Sequence, residues 1–146
     1  MRGSTPLEGR VLGLDPGERR IGVAISDPLG MIAQPHSVID RRRTEPLEAI
    51  RNLVVDYDVS LVVIGLPVSL SGGEGPAARA AREFAADVAN AVECEVEMMD
   101  ERFTSVTAEQ ALLEGNVRRE DRREARDKVA AAILLQGYLD RAGSSR

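Results

Sequence analysis

Val11-Leu12-Gly13-Leu14-Asp15-Pro16-Gly17-Glu18-Arg19-Arg20-Ile21-Gly22-Val23-Ala24-Ile25-Ser26-Asp27 is the stretch on which the reading of this chain turns. Apolar residues lead up to Asp15, and a Pro16-Gly17 turn follows at once. A second apolar run, Ile21 to Ile25, is broken by Gly22 and closes at Ser26-Asp27. This is a hairpin that carries a carboxylate at the end of its first strand. A charged side chain on a buried central strand is costly unless something compensates it. A metal ion, a phosphate contact and a catalytic proton are the usual compensators.

Outward from the hairpin, Met31 to Asp40 sets Met31, Ala33, Ser37 and Ile39 on one parity, with Pro35 interrupting. That pattern predicts a third antiparallel strand at a sheet edge, where proline is tolerated. Arg41-Arg42-Arg43 reads as a connector. Thr44 as N-cap and Pro46 in the first turn open a helix through Leu47, Ile50, Leu53 and Val54. Leu61-Val62-Val63-Ile64 is a continuous apolar run, as expected of a strand buried on both faces. It ends at Gly65-Leu66-Pro67, and a loop rich in glycine and serine follows. Pro76 starts an alanine-rich helix to about Ala91, and a strand from Val92 to Met99 ends in Asp100-Glu101-Arg102. Thr104 or Ser105 caps a further helix through Leu113, residues 117 to 126 form a charged connector, and a last helix runs from about Glu124 to Arg141. The predicted order is βββαβαβαα in one α/β domain spanning residues 1–146, with residues 1–9 and 142–146 as disordered tails. That order resembles the ribonuclease H-like arrangement, which implies the following layout. It is a mixed five-stranded sheet, three antiparallel strands followed by parallel βα units, flanked by helices. Its first strand is central, and the carboxylate there faces a partner borne on a helix.

The composition narrows the chemistry. With 146 residues, 43% hydrophobic and 29% charged, the chain is globular and large enough for a real core. A formal net charge of -5 argues against a general DNA-coating role while leaving room for a small basic groove. No apolar run is long enough to span a bilayer, and residues 1–10 have no hydrophobic segment of the kind a secretory signal needs. A lone cysteine, Cys94, excludes an internal disulfide and a cysteine-based zinc site, which fits a reducing cytoplasm. A lone histidine, His36, leaves little material for a histidine triad, and it reads as structural or solvent-facing. A metal in this chain would have carboxylate ligands, favouring Mg²⁺ or Mn²⁺ over zinc.

Five blocks fall in order over nearly the whole chain: Leu12-Gly-Leu-Asp-Pro-Gly17, Arg20-Ile-Gly-Val-Ala-Ile-Ser-Asp27, Ile64-Gly-Leu-Pro67 with Gly72 and Gly73 after it, Asp100-Glu-Arg-Phe-Thr104, and Asp127-Lys-Val-Ala-Ala-Ala-Ile-Leu-Leu-Gln136. In these blocks the chain resembles the small bacterial Holliday-junction-resolvase-like proteins of the ribonuclease H-like superfamily, also described as pre-16S rRNA nucleases. There is one departure. In the larger junction resolvases of this fold, the strand beside the central one ends in a catalytic glutamate, whereas here it ends Ile64-Gly65-Leu66.

Two-metal phosphodiester cleavage needs several carboxylates around ions roughly 3.5–4 Å apart. Asp15 is the first expected ligand, the alternative being a turn-capping aspartate. Asp127 is the second. It lies near the start of the last helix, and the small residues Ala130, Ala131 and Ala132 would let that helix approach the sheet closely. Its alternative is an ordinary first-turn aspartate favoured by the helix dipole. Asp100 and Glu101 alternate in direction, so only one can face the site. The resemblance favours Glu101, reaching in from the next strand over. Arg19 and Arg20 flank the first turn, Arg102 and Thr104 follow the last strand, and Arg119 and Arg123 belong to a basic cluster diluted by Glu120, Asp121 and Glu124. These six are the expected nucleic-acid contacts, without sequence preference, the cluster reading equally as a solvated charged face or a phosphate track. The loop Pro67 to Gly75 reads equally as a phosphate cradle or a plain connector. Two Phe, two Tyr and no Trp supply little base stacking, so structured or duplex backbone suits the chain better than splayed single strands.

The expectation is therefore a hydrolase: a metal-dependent nuclease of the two-metal type, with Asp15, Glu101 and Asp127 as both catalytic residues and ligands of Mg²⁺ or Mn²⁺. The resemblance implies processing of the 16S rRNA precursor 5′ end in ribosome biogenesis, in the cytoplasm. The alternatives are a Holliday-junction resolvase in recombination and repair, and a noncatalytic nucleic-acid or ribosome-associated binding module. An ATP-binding protein of the actin/hexokinase type fits poorly, since such proteins need two domains to close on the nucleotide. Expected partners are pre-rRNA or branched DNA, with ribosomal particles and no membrane, the chain being a monomer or weak homodimer.

Overall fold

Alternation along the first hairpin sends Leu12 and Leu14 to one face of a sheet and Val11 and Gly13 to the other, and both faces are covered. The computed structural model describes residues 9–67, 75–101 and 119–144, with side chains described for 124–142 of the last stretch. Strands β1 (Arg10–Pro16), β2 (Arg20–Ser26), β3 (Ala33–Asp40), β4 (Val59–Leu66) and β5 (Glu95–Asp100) form one sheet in the order β3-β2-β1-β4-β5. The first three pair antiparallel, and β1-β4 and β4-β5 pair parallel. β1 is thus central, flanked by β2 and β4.

Helices α1 (Pro46–Asp56) and α2 (Pro76–Ala91) cover one face, where Ile50, Val54, Phe84 and Val88 meet Leu12, Leu14, Val23 and Ile64. Helix α3 (Arg119–Ser144) covers the other, laying Ala131, Leu134 and Leu135 on Val11, Ala24, Leu61 and Val63. With apolar layers on both sides, β4 keeps an unbroken hydrophobic run from Leu61 to Ile64. Pro35 sits on edge strand β3, paired with Ala24 beside a register irregularity between Val23 and Ala24, and an edge position of this kind tolerates proline. His36 is structural: its ring nitrogens bond Ser37 Oγ at 2.8 Å and Tyr57 Oη at 2.9 Å.

Several boundaries shift from the sequence reading. The α1 cap is Glu45, not Thr44. Its carboxylate accepts the Leu47 and Glu48 N–H groups at 2.9 and 3.2 Å, and Pro46 takes the first helical position. β3 begins at Ala33 and not Met31, because Asp27 Oδ1 accepts the Met31 and Ile32 N–H groups at 2.7 and 2.8 Å and holds them in the turn. β5 begins at Glu95, since Val92 closes α2 with its N–H on the Val88 carbonyl at 3.0 Å. α3 begins at Arg119, inside the stretch read as a connector, and continues to Ser144, inside the stretch read as a tail. Arginine and glutamate are good helix formers, and no glycine or proline interrupts residues 119–126. The helix expected through Leu113 and most of the loop before Pro76 lie outside the described residues.

Candidate active site

The pleat sorts the acidic residues. On β1, β2 and β4 the residues facing α3 include Val11, Gly13, Ala24, Leu61 and Val63, so Asp15, Arg20, Gly22 and Gly65 share that face. On β5, Val96 and Met98 face the α1–α2 layer while Met99 faces α3, which sends Glu101 to the α3 side and Asp100 away. The register sets Asp15 opposite Gly22 and pairs Leu14 with Ile64 and Gly65 with Met99. Asp15 and Glu101 therefore arrive at the same end of the sheet, on the same face, from strands separated by β4.

Gly65 is what lets them meet. A Cβ built on it would lie 3.1 Å from Glu101 Cγ and 3.2 Å from Glu101 Cδ, tighter than ordinary packing. Gly65 leaves space at the end of β4, and Glu101 fills that space from the neighbouring strand. Its carboxyl hydrogen-bonds that of Asp15, with Glu101 donating and Asp15 accepting. Burial, the bond to Asp15 and the nearby charges of Asp15 and Asp100 push Glu101 up to about 8. Asp15 is also raised, chiefly by burial and further by the charge of Asp127, while the bond from Glu101 opposes the rise. At neutral pH the two acids hold a proton between them. Such a pair gains by exchanging the proton for a hard divalent cation, and its oxygen-only donor set fits Mg²⁺ or Mn²⁺.

Asp127 comes to the same face on α3 through a close approach of helix and sheet. A Cβ on Gly22 would stand 2.0 Å from the Asp127 carbonyl oxygen, and one on Gly13 would stand 2.8 Å from Leu135 Cβ. No residue other than glycine fits at position 22 while the helix lies there. The small helix residues Ala130 to Ala132 were the expected cause of this approach, and the strand glycines supply the other half of it. Asp127 acts on Asp15 through its charge, and it is also paired. Its Oδ2 accepts Arg20 Nε–H at 2.6 Å, with the two side chains 30% and 32% exposed. Among the described residues, no group of three or more His, Cys, Asp and Glu is gathered to hold a metal ion. The three expected ligands are arranged as a pair, Asp15 with Glu101, and a single carboxylate, Asp127, held by Arg20.

The basic residues divide as well. Arg19 is exposed in the turn beside Asp15, while Arg20, expected to contact nucleic acid, is engaged with Asp127. Arg41-Arg42-Arg43, expected as a connector, adds to the basic residues at this end of the sheet. The Arg41 N–H donates to the Arg19 carbonyl at 2.9 Å, which brings this run alongside the first turn and leaves Arg42 and Arg43 exposed there. Three consecutive arginines closing a strand antiparallel to β2 were the available signal. Arg102 and Thr104 lie outside the described residues, and Arg119 and Arg123 are placed on α3 without described side chains.

Comparison with known proteins agrees with this architecture. A protein-family model described as "RuvX: Holliday junction resolvase" matches residues 9–141. A Halothermothrix orenii protein named "Putative pre-16S rRNA nuclease" is 46% identical over 132 residues, 90% of this chain and 94% of the relative. A Moorella thermoacetica protein of the same name is 46% identical over 137 residues, covering 93% and 98%. Among solved structures, T. thermophilus RuvC in complex with a Holliday junction substrate superposes with a TM-score of 0.54 at 16% identity, covering 94% of this chain and 98% of that one. That likeness shows the shared fold.

Proposed function

This chain belongs to the RuvX family of Holliday junction resolvases, and on that premise we propose that it is a divalent-cation-dependent endonuclease that processes the 5′ end of the 16S rRNA precursor. The observation that carries the reading is the hydrogen-bonded Asp15–Glu101 pair at the end of the central strands. Two acids brought into one half-buried place cost stability unless they bind something. The names carried by relatives about 46% identical favour precursor rRNA as the substrate over branched DNA.

In this reading Asp15 and Glu101 would hold Mg²⁺ or Mn²⁺ in place of their shared proton. A bound cation supplies Lewis-acid charge at the scissile phosphate. Asp127 adds negative charge beside Asp15, and Arg20 keeps Asp127 in place. Arg19, Arg42 and Arg43, exposed along the first turn, grip backbone phosphates and set the register of the substrate without reading bases. Water attacks phosphorus directly and the leaving oxygen departs, with no covalent enzyme intermediate. The substrate is met in the cytoplasm on ribosomal particles, by a monomer or weak homodimer.

The test offers the purified protein a 16S rRNA precursor end and a four-way DNA junction in parallel, with Mg²⁺ or Mn²⁺ and with Asp15→Asn alongside. Cation-dependent cutting of the precursor, reduced at least ~100-fold by the substitution, is the expected result. Cutting of the junction alone would make the chain a DNA resolvase. Binding of either nucleic acid without cutting would make it a noncatalytic module.

A further inference from the structure

We propose that Arg20 is a positioning residue that withholds Asp127 from the cation, so that the site takes a single divalent ion, on Asp15 and Glu101. The inference rests on the nuclease reading above and concerns how its cation site is built. Three observations carry it. The Arg20 Nε–Asp127 Oδ2 bond, at 2.6 Å, is short and charge-assisted, and a guanidinium stays charged at every accessible pH. The pairing is also built into the backbone. Arg20 and Gly22 lie on the same face of β2, and the Asp127 carbonyl oxygen rests 2.0 Å from where a Cβ of Gly22 would be. The helix turn bearing Asp127 is therefore fixed over the strand that bears Arg20. Finally, Asp127 does not form a three-carboxylate group with Asp15 and Glu101 among the described residues.

The charges agree. Three carboxylates and one guanidinium leave two negative charges, which one divalent ion balances. A second ion would have to displace the guanidinium from Asp127 or share a carboxylate that is already engaged. Arg20 then supplies, as a fixed positive group, part of the charge that a second ion brings in two-metal sites.

Titration of the full-length protein with Mn²⁺, followed by electron paramagnetic resonance of the free ion, reads the stoichiometry without reference to activity. The wild-type chain is expected to bind one ion, Arg20→Gln two, and Arg20→Lys one again, because the lysine keeps a positive charge on Asp127. In the wild-type background, Asp127→Asn should weaken the ion by less than about tenfold, whereas Asp15→Asn should weaken it by more than about 100-fold. Two ions in the wild type, one ion in a folded Arg20→Gln, or equal losses in Asp127→Asn and Asp15→Asn would each overturn the inference. The last of these readings stands even if Arg20→Gln does not fold. No ion in the wild type overturns the inference and the cation-dependent reading together. One ion with no cleavage of either nucleic acid overturns the nuclease reading alone.

Discussion

Asp15 and Glu101 hold one proton between two carboxyls, and the pH behaviour of the cation-free protein follows from that. Glu101 has an ordinary value of 4.5 and is pushed up to about 8 in the folded chain. Between these values the folded state keeps a proton that the unfolded state has lost, so stability falls as pH rises. The contribution of Glu101 is therefore full below 4.5 and lost as pH rises through about 8. The midpoint of thermal unfolding in the presence of a chelator should drop across that window, and Glu101→Gln should flatten the drop. On the proposed cation-binding reading, Mg²⁺ would act in the opposite sense, because it would replace the proton. It should raise the midpoint more at about pH 8 than at about pH 5, where protons compete for the same oxygens. An equal rise at both pH values would mean that the ion binds elsewhere. The same residues show what was readable in advance: Asp15 announced itself as a charge ending an apolar strand, and Asp127 as an acid beside a run of alanines. The choice between Asp100 and Glu101 was not readable from residue type, because both are acids one position apart.

At the scale of elements, the site exists because α3 lies unusually close to β1 and β2. Gly22 faces a backbone oxygen that cannot yield, at 2.0 Å from its missing Cβ. Gly22→Ala should therefore lift the helix from the sheet and cost at least about 2 kcal/mol in urea-induced unfolding, with cleavage lost as well. Gly65 differs, since its neighbours are the side-chain atoms Glu101 Cγ and Leu134 Cδ2, each at 3.1 Å, which can shift by a few tenths of an ångström. Gly65→Ala should cost only about 1 kcal/mol yet move Glu101 off Asp15, so cleavage falls far more than stability. Equal damage by the two substitutions in both measurements would mean that Gly65 serves packing only. Truncating the helix core by Leu135→Ala, a side chain buried between α3 and the sheet, should cost ~2–5 kcal/mol. The strands and their order were legible from alternation and from the unbroken run at Leu61 to Ile64. The glycines were visible in the sequence as interruptions only, because what presses on them comes from the far end of the chain.

For the whole molecule, a net charge of -5 means that nucleic acid, on the proposed reading, would be met by a local basic edge and not by a general field. Binding of the precursor should therefore weaken with salt, with a log–log slope of modest size, and Arg19→Ala and Arg42→Ala should each reduce that slope by about 1. A slope unchanged in both variants would move the phosphate track to another surface. What the sequence by itself determined is the part of this protein governed by neighbours in the chain. That part is the hairpin ending in Asp15, the buried parallel strand and the edge proline. Periodicity and turn chemistry act over a few residues, so they can be read along the chain. Only the tertiary structure decided that Glu101 reaches Asp15 through the space at Gly65, and that Asp127 binds Arg20, which stands 107 positions away. Those pairings depend on the phase of the pleat on separate strands and on how deeply a helix settles on the sheet. Both are set by packing between segments whose distance along the chain carries no record of their contact.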